Sequence, residues 1–212
     1  MNDFQTPGYA VPNLAGPVRR RAGAELHILW FFALLAAMLL GSLATQALIS
    51  LFGGVSGANI REFLIRQAAV AGALTGTAQW LVWRRYAPVS WAWIPVTMGA
   101  SVASGAASGI ILGSSLPGLL AALIGPIGQG LVLRQRLRGA SVWMVAAALT
   151  LVLGSLLNGW MYQQIMGRFG TETAWIPASI IVLYHAAIQS SAARWILGRN
   201  DGGQAPPYPN YR

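Results

Sequence analysis

Six stretches of the chain, near residues 26–51, 64–83, 91–112, 117–134, 142–162 and 175–196, run almost without charge. Each approaches the roughly 20 apolar residues that an α-helix needs to cross the hydrocarbon core of a bilayer. Lipid offers the backbone no hydrogen-bond partners, so a spanning segment must satisfy its own amides, as a helix does. Composition agrees: 55% of residues are hydrophobic and 9% are charged, against about 25% charged in soluble domains. The expected fold is all-α, an integral membrane bundle of six transmembrane helices over residues 25–198. A tail at 1–24 containing Pro7, Pro12 and Pro17 precedes it, and a Pro-rich tail at 199–212 follows. The first apolar run exceeds the 7–15 residues of a signal-peptide core, which favours an uncleaved first span.

Charge placement fixes an orientation. Every basic residue is arginine. With the N-terminus inside, the inner segments hold Arg19, Arg20, Arg21, Arg84, Arg85, Arg134, Arg136, Arg138, Arg194, Arg199 and Arg212. The outer segments hold only Arg61, Arg66 and Arg168. Cytoplasmic loops of membrane proteins carry such an excess. The expectation is a multi-pass protein of the cell (inner) membrane with both termini cytoplasmic. Arg84, Arg85, Arg134, Arg136 and Arg194 then serve lipid headgroups and topology. The net charge of +9 therefore points to the bilayer as partner and away from nucleic acid. Trp30, Trp83, Trp91, Trp93, Trp143 and Trp195 fall near inner ends, Trp160 and Trp175 near outer ends. That distribution reads as interfacial anchoring.

An internal repeat lies within the six blocks. Gln79-Trp-Leu-Val-Trp-Arg84 matches Gln129-Gly-Leu-Val-Leu-Arg134, and Gln189-Ser-Ser-Ala-Ala-Arg194 keeps the first and last residues. Trp30 precedes Gly41-Ser42-Leu43 by the same eleven residues that separate Trp143 from Gly154-Ser155-Leu156; Trp93, followed by Ser104-Gly105, is a poorer copy. The repeating unit is a helical hairpin, at about 26–83, 91–134 and 142–196. Successive hairpins share an orientation, so the repeats are parallel and related by rotation about the membrane normal.

The segments Gly72-x3-Gly76-x2-Gln79-Trp-Leu-Val-Trp-Arg-Arg85 and Gly128-Gln129-Gly-Leu-Val-Leu-Arg134 resemble a group of uncharacterised bacterial polytopic membrane proteins with repeated GxxxGxxQWLVLRR-like segments. The resemblance covers roughly residues 64–198. It implies an architecture and no established function; the third copy departs from it, lacking the glycines and the Trp after Gln189.

Four residues are candidate ligand contacts. Gln79, Gln129 and Gln189 each lie five residues before an arginine, about 7.5 Å deeper and about 140° around the helix. The carboxamide can therefore face the bundle while the guanidinium reaches headgroups. A carboxamide facing lipid would be left unsatisfied. The readings are interhelical hydrogen bonding or a polar ring near a pseudo-threefold axis. His185 falls near mid-membrane, where an ionisable group is a functional candidate. It is either a hydrogen-bonded neutral side chain or a contact to haem, chlorophyll or a solute. Small residues, including Gly72, Gly76, Gly99, Gly125, Gly128 and Ser191, mark faces where helices pack closely.

The five acids, Asp3, Glu25, Glu62, Glu172 and Asp201, all fall outside the spans, and no HExxH, P-loop or Gly-x-Ser-x-Gly motif is present. No catalytic or metal-ligating set emerges, and a lipid-acting enzyme is the weakest reading. The first expectation is a non-catalytic accessory or scaffold subunit of a larger membrane complex, one version of which handles pigments or electrons beside other membrane subunits. The alternative is a small-solute binding or transport component with a polar pocket lined by Gln and His.

Overall fold

The computed structural model describes residues 22–51, 59–110, 115–169 and 175–200. The two tails, with Arg19, Arg20, Arg21 and Arg212, lie outside the described residues. Six α-helices make up the fold, and no strand occurs among the described residues: α1 (Ala24–Leu51), α2 (Ile60–Tyr86), α3 (Trp93–Ile110), α4 (Ser115–Arg134), α5 (Ala140–Phe169) and α6 (Trp175–Asn200). Two stretches, Ala24–Leu51 and Ser179–Asn200, are long and apolar enough to cross a membrane.

The helix ends depart from the apolar blocks by several residues, α2 running from Ile60 to Tyr86 against an expected 64–83. α3 begins at Trp93, because residues 91 and 92 form a turn that Ser90 organises: its hydroxyl accepts from the Ala92 amide at 3.2 Å and its carbonyl from the Trp93 amide at 3.2 Å. α5 continues to Phe169, seven residues past the expected end at 162. α6 reaches Asn200 rather than 196, so the boundary placed at 199 falls inside the helix. Asn200 explains this. Its Oδ1 accepts the Arg138 amide at 3.0 Å and its Nδ2 donates to the Arg138 carbonyl at 3.1 Å, tying the helix end to the α4–α5 turn.

Each helix packs on its neighbours in sequence, and α1 packs on α6. The six helices thus close into a ring of alternating direction. The N-terminal ends of α1, α3 and α5 meet the C-terminal ends of α2, α4 and α6. At that end the fully buried rings of Trp30, Trp83, Trp93 and Trp143 pack together, with centroids 5.3–6.0 Å apart and mostly edge-to-face. This geometry suits the aromatic quadrupole. Leu133, Leu137, Ala193, Ile196 and Leu197 belong to the same apolar core, which is densest at the tryptophan end and reaches Leu34, Ala147 and Ala186. The anchoring role expected of Trp30, Trp83, Trp93 and Trp143 is therefore corrected: they fill the bundle axis. Trp91, Trp160 and Trp195 are the exposed ones.

Glycine sets the spacing of α3. A Cβ added at Gly72 would stand 2.9 Å from Met98 Cα and 2.6 Å from Ser101 Oγ; one at Gly76 would meet the Ile94 backbone at 3.2 Å. Backbones this close leave no room for a methyl group, and small residues at helix interfaces permit such approach. Gly99, expected on a packed face, has open space around it instead. Gly72→Ala should therefore destabilise the fold by about 1–3 kcal/mol through overpacking. Gly99→Ala should be neutral or stabilising by up to about 1 kcal/mol, because it removes helix-disfavouring backbone freedom. Equilibrium unfolding of the two purified variants in detergent measures the contrast.

Candidate functional site

An indole N–H is a donor with no acceptor capacity. Buried, it must find an acceptor or cost about 1–3 kcal/mol. Three of the four central tryptophans find the same kind of partner. Trp30 donates to Gln189 Oε1 at 3.3 Å, Trp93 to Gln79 Oε1 at 3.2 Å, and Trp143 to Gln129 Oε1 at 3.0 Å. Each bond joins the first turn or two of an odd helix to the last turns of an even one. The bonds also settle which way each carboxamide is turned, since only its oxygen can receive an indole proton. The amide nitrogens then link the glutamines. Gln129 Nε2 donates to Gln79 Oε1 at 3.3 Å and to Thr97 Oγ1 at 2.8 Å, and Gln79 Nε2 donates to Gln189 Oε1 at 3.0 Å. All three glutamines are buried. The structure brings Gln79, Gln129 and Gln189 together on the axis in two linked steps.

Positions at equal register form layers above and below this ring. Four residues toward the tryptophan end stand Trp83, Leu133 and Ala193, all fully buried. One large ring, one medium side chain and one methyl fill the axis there, so similar backbones carry unequal chemistry. Trp83 is the central indole whose N–H finds no acceptor among the described residues. It is surrounded by ring faces, a second-order substitute. Four residues the other way stand Thr75, Gly125 and His185.

Beyond the ring the bundle is hollow. A cavity of about 570 Å³ starts at Gln79, Gln129 and Gln189 and extends to Thr45, Gln67 and Ser104, with lining residues from all six helices. Gln67 lies twelve residues before Gln79 on α2, so the cavity runs for about 18 Å along the axis. The volume is within the 300–1,000 Å³ of small-molecule sites. The tryptophan cluster closes one end. Thr97, Thr45 and Ser101 donate their hydroxyl protons to the carbonyls of Trp93, Gly41 and Thr97 on their own helices, which leaves oxygen lone pairs facing inward. Pro126 inside α4 also lines the cavity; having no N–H, it removes one hydrogen bond from the helix. Among the described residues, no Asp, Glu, Lys or Arg lines the space.

His185 lines the same cavity, half-buried. Its Nδ1 faces the Ile181 carbonyl at 2.8 Å and so carries the proton, leaving Nε2 as the acceptor. A Cβ at Gly154 would stand 3.0 Å from the His185 Cε1 and 3.6 Å from Nε2, so α5 packs against one flank of the ring. His27, at the tryptophan end, pairs through Nδ1 with Ser190 Oγ at 2.6 Å.

Arg84, Arg85, Arg134, Arg136 and Arg194 are all exposed and all at the tryptophan end; the Arg84 guanidinium lies 4.6 Å over the Trp80 ring. They stand apart from the cavity. Sequence reasoning missed Thr97, the Gln67–Thr45 bond of 3.2 Å, and the tryptophans as partners of the glutamines. A signal was present: Trp93 follows Gln79, and Trp143 follows Gln129, by the same fourteen residues.

Comparison with protein-family models, with curated proteins and with solved structures found no match, so the site is read from its own chemistry. Two outcomes are expected. Gln79→Leu and Trp93→Phe should each destabilise the protein by about 0.6–2 kcal/mol. Their double mutant should lose less than the sum, because the two share one hydrogen bond; unfolding curves of the three variants and wild type give the coupling.

Proposed function

We propose that the chain is a six-span integral membrane protein of three parallel hairpins, and that its hollow axis binds a small uncharged polar solute, as a binding or transport component. The observation that carries the reading is the inversion of polarity between interior and surface. The interior holds buried glutamines, threonines and a histidine. Large apolar side chains are exposed on every helix, among them Phe32, Leu81, Met98, Leu131, Leu149 and Leu183. Water-soluble monomers rarely expose contiguous apolar surface beyond a few hundred Å², whereas lipid is a suitable solvent for such a face. The three equivalent Trp-to-Gln bonds support hairpins related by rotation about the membrane normal. Among the described arginines, Arg84, Arg85, Arg134, Arg136, Arg138, Arg194 and Arg199 stand at the tryptophan end and Arg61, Arg66 and Arg168 at the other, which supports the tryptophan end as cytoplasmic. The cavity would then face the outer leaflet. α5, at 30 residues about 45 Å long, would extend past the hydrocarbon core at its outer end.

An accessory subunit has no need of a hollow, polar interior, and a binding component has. The described residues around the cavity carry no charge, which suits an uncharged ligand, since a buried unpaired ion is costly.

Orientation is tested by single cysteines, against a chain that has none. A cysteine at Ser56 should react with an impermeant thiol reagent in intact cells, and one at Pro88 only after permeabilisation. Pro88 is exposed, while neighbouring Ala87 is 4% exposed and would report burial instead of sidedness. Labelling of Pro88 alone in intact cells would reverse the orientation. Binding is tested by native mass spectrometry of protein extracted in mild detergent. A small uncharged molecule should be retained by wild type and lost from Ala71→Phe, which fills the cavity. Retention that is indifferent to Ala71→Phe would remove the cavity as the site.

A further inference from the structure

The glutamine ring is open on one side, and its unmet hydrogen-bonding groups define what would close it. Gln79 Oε1 accepts twice, from Trp93 and Gln129. Gln189 Oε1 accepts twice, from Trp30 and Gln79. Gln129 Oε1 accepts once, from Trp143, and keeps a lone pair. On the donor side Gln129 Nε2 uses both hydrogens, whereas Gln189 Nε2 donates to no acceptor among the described residues. The third link of the ring, from Gln189 to Gln129, is unmade. Its two halves face the cavity that both residues line.

One turn further out the pattern continues. His185, on the same face of α6 as Gln189, presents Nε2 as an acceptor because Nδ1 is committed to the Ile181 carbonyl. Thr75, on the same face of α2 as Gln79, has a hydroxyl with no hydrogen-bond partner among the described residues. Ser101 donates to its own helix and keeps lone pairs. The register position on α4 is Gly125, which lines the cavity without a side chain of its own. The unmet groups are thus donors on Gln189, acceptors on Gln129, His185 and Ser101, and the two-way hydroxyl of Thr75.

Resting on the reading of the cavity as a solute site, we infer that the solute is a polyol, a compound bearing several free hydroxyl groups. One hydroxyl accepts from Gln189 Nε2 and donates to Gln129 Oε1, completing the ring. A second donates to His185 Nε2. A hydroxyl both donates and accepts, which is what the open edge requires. An ether, ketone or quinone accepts only, and would leave Gln129, His185 and Ser101 unmatched. An ammonium or carboxylate would meet no opposite charge. Water has the same two-way character and is the competing occupant.

The test uses the full chain in lipid nanodiscs with inositol and its hexa-O-methyl ether as probes. Binding is read by titration calorimetry and by the shift in thermal unfolding. Inositol should bind and the ether should not. His185→Leu and Thr75→Val, which leave the Trp–Gln bonds untouched, should each weaken inositol binding roughly two- to tenfold, the worth of one neutral hydrogen bond. Gln189→Met should abolish it; because that change also orphans Trp30, the two milder variants are the decisive ones. Equal binding of the ether, or unchanged affinity in both milder variants while Ala71→Phe abolishes binding, would overturn the hydroxyl assignment and leave the cavity reading standing. If inositol does not bind, the edge is closed by water only and the inference fails. Should Ala71→Phe also leave the molecules retained from the native membrane unchanged, the cavity reading fails with it.

Discussion

The hydrogen bond from a buried indole to a glutamine carbonyl organises this protein. An indole proton has one direction in which to donate and no way to be left unpaired cheaply. By accepting it, each glutamine is held at a fixed depth with its carbonyl turned to the indole, and its amide nitrogen is freed to reach the next helix. Three such bonds, Trp30–Gln189, Trp93–Gln79 and Trp143–Gln129, tie each odd helix to an even neighbour. They separate a dense end from a hollow one. Toward the tryptophans the axis is filled by aromatic rings and aliphatic side chains; on the other side the glutamines present what remains of their hydrogen-bonding capacity to an empty interior.

The matched Trp-to-Gln bonds and the unequal side chains around them are both needed. Equal register sets three side chains at one height, while the residues chosen at that height differ. Trp83, Leu133 and Ala193 share a layer that three tryptophans would overfill. Thr75, Gly125 and His185 share another, which holds a hydroxyl, a bare backbone and an imidazole. A cavity lined identically three times would recognise a threefold-symmetric ligand; this one presents a directional set of groups.

Much of the arrangement is legible in the sequence, for identifiable reasons. Apolar length and its interruption by arginine mark all six helices. The five-residue offset from arginine places Gln79, Gln129 and Gln189 on inward faces, because helix geometry converts that offset into depth and angle. The tryptophans are not legible in the same way. Interfacial anchoring and axial packing both place Trp near a helix end, and only the neighbouring helix decides between them. The ends of α5 and α6 escape the sequence because apolar blocks report where lipid could be, whereas helices stop where caps and turns stop them, as Asn200 does through Arg138. A polar pocket lined by Gln and His is an expectation of the sequence, but its extent to Thr45, Gln67 and Ser104 is not legible. That extent depends on the ring closing through α1 and α6, a contact no local pattern encodes. The open edge depends on which of six similar hydrogen bonds is missing.

The closure of the ring has a consequence for how the chain is made. Trp30 and its acceptor, Gln189, stand 159 residues apart in the chain. The α1 indole, and later the Gln79 amide, therefore wait during synthesis for a partner that is translated after both. Without α6 the ring has an open seam between α1 and α5. The arrival of α6 satisfies both waiting donors and makes the last contact in one step. Interruption of synthesis before α6 leaves that seam exposed, a feature by which a quality-control protease could tell an unfinished chain from a finished one.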